Sequence, residues 1–410
     1  MSFNLKIRIA LNVFLFIGLI SPSLLWAQQD GFILLEGTVM EKARENIDTN
    51  SPQKTPELKA LIMAAEEALS SGPFSVIHKK QLPPSGDIHD YTSMGPYWWP
   101  DPEKEDGLPY IRRDGEINPE YFDYKDKEEM GKLLNSLKVL SQAFYFTGNE
   151  KYAAQAIHLA NAWFLDPDTK MNPNLNFAQR IPGRTEGRGI GIIDTRKMAE
   201  LPDQFRMLSS STHWNTSFEE GMKFWLTKYV SWLVNSKHGK DEAVHGNNHT
   251  TWYFAQIIPL TLYLGQTDRA DSLAKAGLPL IMEEMIEKDG SQPAELARTR
   301  SWDYSSMNLL AIMYYAMACE KVGIDLWNRE SENGGSIQKA LDFLNAYTGK
   351  KLEWPYEQIK ERDLSSIKEQ LNIAAYKYQD KSYKKDADQM ISLNPEFSYW
   401  DLVNFKQIRK

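Results

Sequence analysis

MGKLLNSLKVLSQAFYFTGNEKYAAQAIHLANAWFLDP, residues 130–167, decides the fold class. Met130, Leu133, Leu134, Leu137, Leu140 and Phe144 recur at the three- and four-residue steps of a helix, and Gly148-Asn149 ends the run. Tyr152, Ala153, Ala156, Ile157, Ala160 and Phe164 mark a second helix, stopped by Asp166-Pro167. Two apolar stripes joined by so short a stop predict an antiparallel helical hairpin.

The pattern recurs downstream. Thr216 and Glu219 read as a capping box ahead of Met222, Trp225, Leu226, Tyr229 and Leu233. Further helices are expected over about 249–264, 268–287, 303–322, 335–347 and 365–380, with Gly265, Gly290 and Gly323 as stops. Pro259 and Pro279 fall inside two of them, where a kink or a break is expected. No convincing series of alternating strands and no strict repeat is present. The chain reads as all-α: successive antiparallel helix pairs closing into an α/α toroid, an incomplete barrel, with an open bundle as the alternative. Segments 82–120 and 166–200, rich in Pro, Gly, Asn, Asp and Arg, interrupt the helices. Loops of that length in a compact domain are usually functional, and these are expected to cover one mouth of the toroid.

Of 410 residues, 42% are hydrophobic, enough for a large core, and 25% are charged, an ordinary globular value. Lys6 and Arg8, the apolar run Ile9 to Leu25 and Trp26-Ala27 read as a signal peptide over residues 1–27. A retained signal anchor is the alternative. Residues 28–410 are then one exported domain, periplasmic or secreted. Cys319 is the sole cysteine, which excludes internal disulfides. The net charge of −8 argues against nucleic acid and anionic membranes as partners. A polyanionic ligand must therefore be held by a local basic cluster. The 12 Trp and 19 Tyr exceed what a core needs, and such a surplus often lines sugar clefts.

Four segments concentrate unusual residues: His89 to Pro102, Asn172 to Asp194, His245 to Tyr253 and Asp289 to Tyr304. His245 and His249 stand at the spacing that binds zinc from one helix face, but the glutamate of that motif is replaced by Gly246-Asn247. No metal and no other cofactor is expected. An Asn-His pair beside Arg and Tyr suits another task. The C5 proton of a uronic acid is weakly acidic because the adjacent carboxylate resists more negative charge, and donors that neutralise the carboxylate lower that cost. Tyr or His can then take the proton and deliver one to the departing O4, with Arg298 and Arg300 helping a tyrosine towards phenolate. The plain alternatives are that Asn-Asn-His is a helix cap and Arg-x-Arg a surface ion pair.

Together the four segments resemble the alginate lyase superfamily, whose members share an α/α toroid. The most specific features are Asn247-Asn248-His249-x-x-Trp252 and Glu295-Leu296-x-Arg298…Tyr304. The Tyr97-Trp98-Trp99-Pro-Asp-Pro and Arg180-x-x-Gly-Arg184-x-x-Gly-Arg188-Gly stretches add to these. The resemblance spans about residues 60–360. It implies that Asn248 and Arg298 neutralise the uronate carboxylate. His249 is then a base or carboxylate partner, and Tyr304 the acid and a candidate base. The Arg298-to-Tyr304 interval is one residue shorter than the family pattern, and Arg300 is the alternative arginine. For substrate binding, the rings of Tyr97, Trp98 and Trp99 are expected to stack on sugars, while Gln179, Arg180, Arg184 and Arg188 hold neighbouring carboxylates and Asn247 and His245 flank the site. Trp98-Trp99 as a loop anchor is the plain alternative.

The expected activity is β-elimination in an anionic polysaccharide, alginate or a related uronan such as glucuronan. Two rivals remain. A toroidal glycoside hydrolase needs two carboxyl groups across the scissile bond, with Asp90, Glu186, Asp194 and Glu295 as candidates. The other is a non-catalytic carbohydrate-binding protein.

Overall fold

The computed structural model describes residues 31–45, 47, 56–348, 352–390 and 400. The expected signal peptide, 1–27, lies outside them. The hairpin consists of helices Lys125–Thr147 and Glu150–Phe164. Gly148 ends the first in the left-handed conformation (φ +66°) that glycine adopts without strain, and its N–H donates to Phe144 O. Asn149 then caps the second by accepting the Lys151 N–H. Met130, Leu133, Leu137, Ala153, Ala156 and Trp163 are all buried between them and their neighbours.

Helices Pro56–Ala68, Lys125–Thr147, Leu201–Leu208, Asn248–Tyr263, Ser301–Glu320 and Ser365–Lys377 pack one against the next in that order, an inner series. Outside it, Glu150–Phe164 lies on Lys125–Thr147, Thr216–Asn235 and Thr267–Leu278 lie on Asn248–Tyr263, and Ile337–Asn345 lies on Ser301–Glu320. The result is an α/α toroid. Ser301–Glu320 is apolar on almost every side and has the burial of an inner member.

Local differences from the sequence reading have local causes. The helix Thr216–Asn235 is capped by Asn215, whose side chain accepts the Phe218 N–H, while Glu219 turns to Trp214 Nε1 and Lys223 instead of closing a capping box. Asn248–Tyr263 continues through Pro259, buried on most sides so that packing holds it together, whereas Thr267–Leu278 ends at Pro279 in one wide turn.

The two long segments are ordered. Thr92–Met94 pairs in parallel with Phe177–Arg180 (Thr92 opposite Phe177), and Trp98–Trp99 pairs antiparallel with Ile111–Arg112. Gly189–Glu200 winds in tight 3₁₀ turns. Strands of two to four residues are too short to show an alternation, which is why the sequence reads as loop there. Met94, Tyr110 and Ile181 form a small apolar cluster of their own, with Trp98 and Tyr124 against it.

Candidate active site

Two groups of pinned side chains make up the site. The first stands at the start of helix Asn248–Tyr263. Asn247 caps it by accepting the His249 N–H at 3.0 Å, which fixes the direction in which His249 leaves the backbone. His249 Nδ1 meets Oε1 of the buried Glu242 at 2.9 Å. With Nδ1–H as donor, the lone pair is left on Nε2. Burial raises the Glu242 carboxyl, and His249 opposes that shift. Asn248 is fully buried. Its backbone N–H and its Nδ2 donate to Glu295 Oε1 and Oε2 at 2.7 and 2.8 Å, which leaves one Nδ2 N–H unused. The His245 ring lies edge-on to His249, 5.2 Å between centroids. Burial, followed by the charges of His249, Arg188, Arg112 and Arg298, pushes His245 down to about 4, so it is neutral near pH 7.

The second group gathers at the start of helix Ser301–Glu320. The Arg298 guanidinium lies 3.8 Å from the centre of the Tyr304 ring. It is gripped from behind by Asp114, with Nε to Oδ2 at 3.1 Å and Nη2 to Oδ1 at 2.7 Å. Thr299 Oγ1 also donates to Asp114 Oδ2, and Arg112 pairs with its Oδ1. Burial alone would raise the Asp114 carboxyl, but Arg298 and Arg112 overrule it and hold it at about 2. Arg300 is tied to Asp303 on its own helix at 2.7 Å. The Tyr304 hydroxyl meets the Tyr97 hydroxyl at 2.9 Å. Burial first, and Tyr97 next, raise the Tyr304 phenol although Arg298 pulls the other way, so it is protonated at neutral pH. The strand pair joins these parts, because Arg113 N–H donates to Tyr97 O and Asp114 follows directly. The two groups share one field: Arg298 and His249 both act on Glu295.

The residues expected to bind sugar divide. Gln179 is buried, with a left-handed backbone (φ +49°) that costs a non-glycine residue about 1 kcal/mol or more. Its N–H donates to Ser93 Oγ, its Nε2 to Asp194, and its Oε1 accepts from Arg188. One Nε2 N–H and the carbonyl oxygen are thus engaged within the protein, where they fix Arg188 against Asp194. The guanidiniums of Arg184 and Arg188 lie over the Trp98 ring at 5.1 and 5.8 Å. A Cβ on Gly95 would meet both Trp98 and Arg188 within 3 Å, so glycine there permits this packing. Trp99 carries Arg113 over its ring and donates Nε1–H to Glu116 O. Both tryptophans therefore carry arginine over the ring, a cation–π arrangement. Arg180 is paired with Glu186 at 2.8 Å.

Asp114 and Glu242 escaped the sequence reading. The carboxylates weighed for hydrolysis are each already engaged with partners within the protein. Asp194 is buried on Lys127, Ser93 and Gln179, Glu186 is on Arg180, Glu295 is on Asn248, and Asp90 accepts from Ser85 and Asn172. Among the described residues, no group of three or more His, Cys, Asp or Glu side chains is placed to hold a metal ion, and no helix is long and apolar enough to cross a membrane.

A family model described as alginate lyase matches residues 75–354. The structure is similar to that of an alginate lyase from Bacteroides ovatus, at 37% identity and a TM-score of 0.85, covering 91% of this chain and 99% of the other. It shares its fold with alginate lyase A1-III from Sphingomonas species A1, at 17% identity and a TM-score of 0.55, with 90% and 94% covered. The same holds for a variant of A1-III complexed with a tetrasaccharide, at 17% identity and 0.54, with 86% and 90% covered. No curated protein matches the chain.

Proposed function

The chain belongs to the alginate lyase family and is a polysaccharide lyase acting on alginate or a related uronan, and from that premise we propose how its residues carry out the elimination. Arg298, immobilised by Asp114, neutralises the carboxylate of the uronate whose C5–H is removed, and Asn248 adds its unused N–H. This lowers the energy of the enolate-like intermediate. A base takes the C5 proton, the electron pair forms the C4=C5 double bond, the C4–O4 bond breaks, and an acid protonates O4. Tyr304, resting as a phenol, is the acid. His249, steadied by Glu242, presents Nε2 as the base.

The observation that carries this reading is the stack of Arg298 on Tyr304 at 3.8 Å, with the guanidinium held from behind. The same stack favours a second reading, in which Arg298 stabilises a phenolate and Tyr304 also takes the C5 proton when that hydrogen and O4 lie on one face of the ring. Uronates that are C5 epimers present this hydrogen on opposite faces, so the two readings differ by substrate. Arg180, Arg184 and Arg188 supply positive charge for flanking carboxylates. We also propose that the protein is exported, from the apolar N-terminal run behind Lys6 and Arg8. Incubation with purified polyuronides tests the function: an ultraviolet-absorbing unsaturated product is expected, and reducing ends without that absorbance would contradict it.

A further inference from the structure

We infer that the outside of the toroid carries a second, non-catalytic site for the polyuronide chain, in the pocket between helices Glu150–Phe164 and Thr216–Asn235. The pocket has a volume of about 830 Å³, within the range of ligand sites, and shares no lining residue with the cluster around Tyr304. In a chain of net charge −8, no carboxylate lines it, whereas Lys170, Lys228, His158 and His213 do. Among the described residues Lys170 and Lys228 have no carboxylate partner, unlike Lys223 on the same helix, which is tied to Glu219. The lining is therefore basic in an acidic protein, as a site for a polyanion requires.

The walls also suit a sugar. Phe224 stands at the rim 63% exposed, a large apolar ring in water, with the Lys228 ammonium 4.2 Å from its centre. A ring face beside a cation matches a pyranose, which offers a C–H face and a carboxylate side by side. The inner wall is rigid. Trp225 stacks on Tyr229 and donates Nε1–H to Met171 O at 2.8 Å, which locks the loop bearing Lys170 onto the helix. The pocket's cations are lysines, point charges suited to single carboxylates, with none of the arginine forks that select phosphate.

Phe224, Lys228 and Trp232 follow at four-residue steps along one side of the helix, a run of about 12 Å. Trp232 donates Nε1–H to Asn176 Oδ1, at the head of the segment that carries Arg180, Arg184 and Arg188. A polymer lying in the pocket is thereby led towards the loops at the site. Such a tether raises the effective concentration of long chains at the catalytic centre and gives nothing to short ones.

The inference rests on the lyase reading, and kinetics on two lengths of substrate separate the two. The triple variant Lys170→Ala, Phe224→Ala, Lys228→Ala is compared with the natural protein on polymer and on a trisaccharide from it. KM for polymer is expected to rise about five- to tenfold at unchanged kcat, with trisaccharide kinetics unaltered. The double reversal Lys170→Glu, Lys228→Glu should do the same, and 0.5 M salt should remove most of the difference, as about a 4 Å Debye length screens these exposed charges. Trisaccharide turnover doubles as the check on folding. An unchanged polymer KM, or equal losses on both substrates, overturns the second site. Absence of turnover by the natural protein on every polyuronide overturns the lyase reading and this inference with it.

Discussion

Asp114→Asn removes half of the grip on Arg298 without changing its shape. Asp114 accepts two N–H bonds from Arg298 and one hydroxyl bond from Thr299 and pairs with Arg112, whereas an amide offers one oxygen and turns an N–H₂ towards the guanidinium. A hydrogen bond to a charged group is worth about 1.5–3 kcal/mol, so misplacing Arg298 by its loss should lower kcat about 10- to 100-fold, with a smaller change in KM. Stability gives an independent reading. The carboxyl is held at about 2 against an ordinary 3.8, which at 1.36 kcal/mol per pH unit makes the ionised pair worth about 2.5 kcal/mol at most, less what solvent screens. Because the folded pKa is depressed, that contribution is complete above about pH 4 and is lost as pH falls through 2. Denaturant unfolding at pH 6 should show the variant less stable, and the gap should close between pH 4 and pH 2. A variant with natural kcat would refute the claim that Asp114 positions Arg298, and a gap that persists at pH 2 would refute the electrostatic account of it.

His249→Ala, assayed on substrates that are C5 epimers, should lose about 10²- to 10⁴-fold on the uronate that needs the imidazole as base; equal and small losses on both would remove His249 from proton transfer. Exhaustive chelation should leave turnover unchanged, since His245-Gly-Asn-Asn-His249 lacks the glutamate of a zinc motif and His249 is committed to Glu242. Loss restored by added zinc or calcium would count against the mechanism. N-terminal sequencing of protein recovered from the periplasm should begin near Gln28, and an intact Met1 in a membrane fraction would contradict export.

The helical body was legible because its signals are local. Periodicity at 130–164, Gly148 as a stop and Asn247 before His249 each act within a few residues, and each is where the sequence placed it. The site was legible as residue types but not as partnerships. Asp114 stands 184 positions from Arg298, and an ion pair across that distance leaves no trace in any window. Glu242 is only seven residues before His249, and an acid two turns ahead of the motif could have drawn notice. Nothing in Tyr97-Trp98-Trp99 announces the arginines that Trp98 and Trp99 carry, since those arginines stand 14 or more positions away. The left-handed backbone of Gln179 was equally hidden, because the surrounding network imposes it against the residue's own preference.

Tyr304→Phe tests the central claim most directly. The ring and its contact with Arg298 remain, and only the hydroxyl that meets Tyr97 is removed. Initial rates of unsaturated product, followed by ultraviolet absorbance at saturating polymer, should fall by about 10²- to 10⁴-fold at nearly unchanged KM. A folded Tyr304→Phe protein that turns over polymer at close to the natural rate would contradict the account.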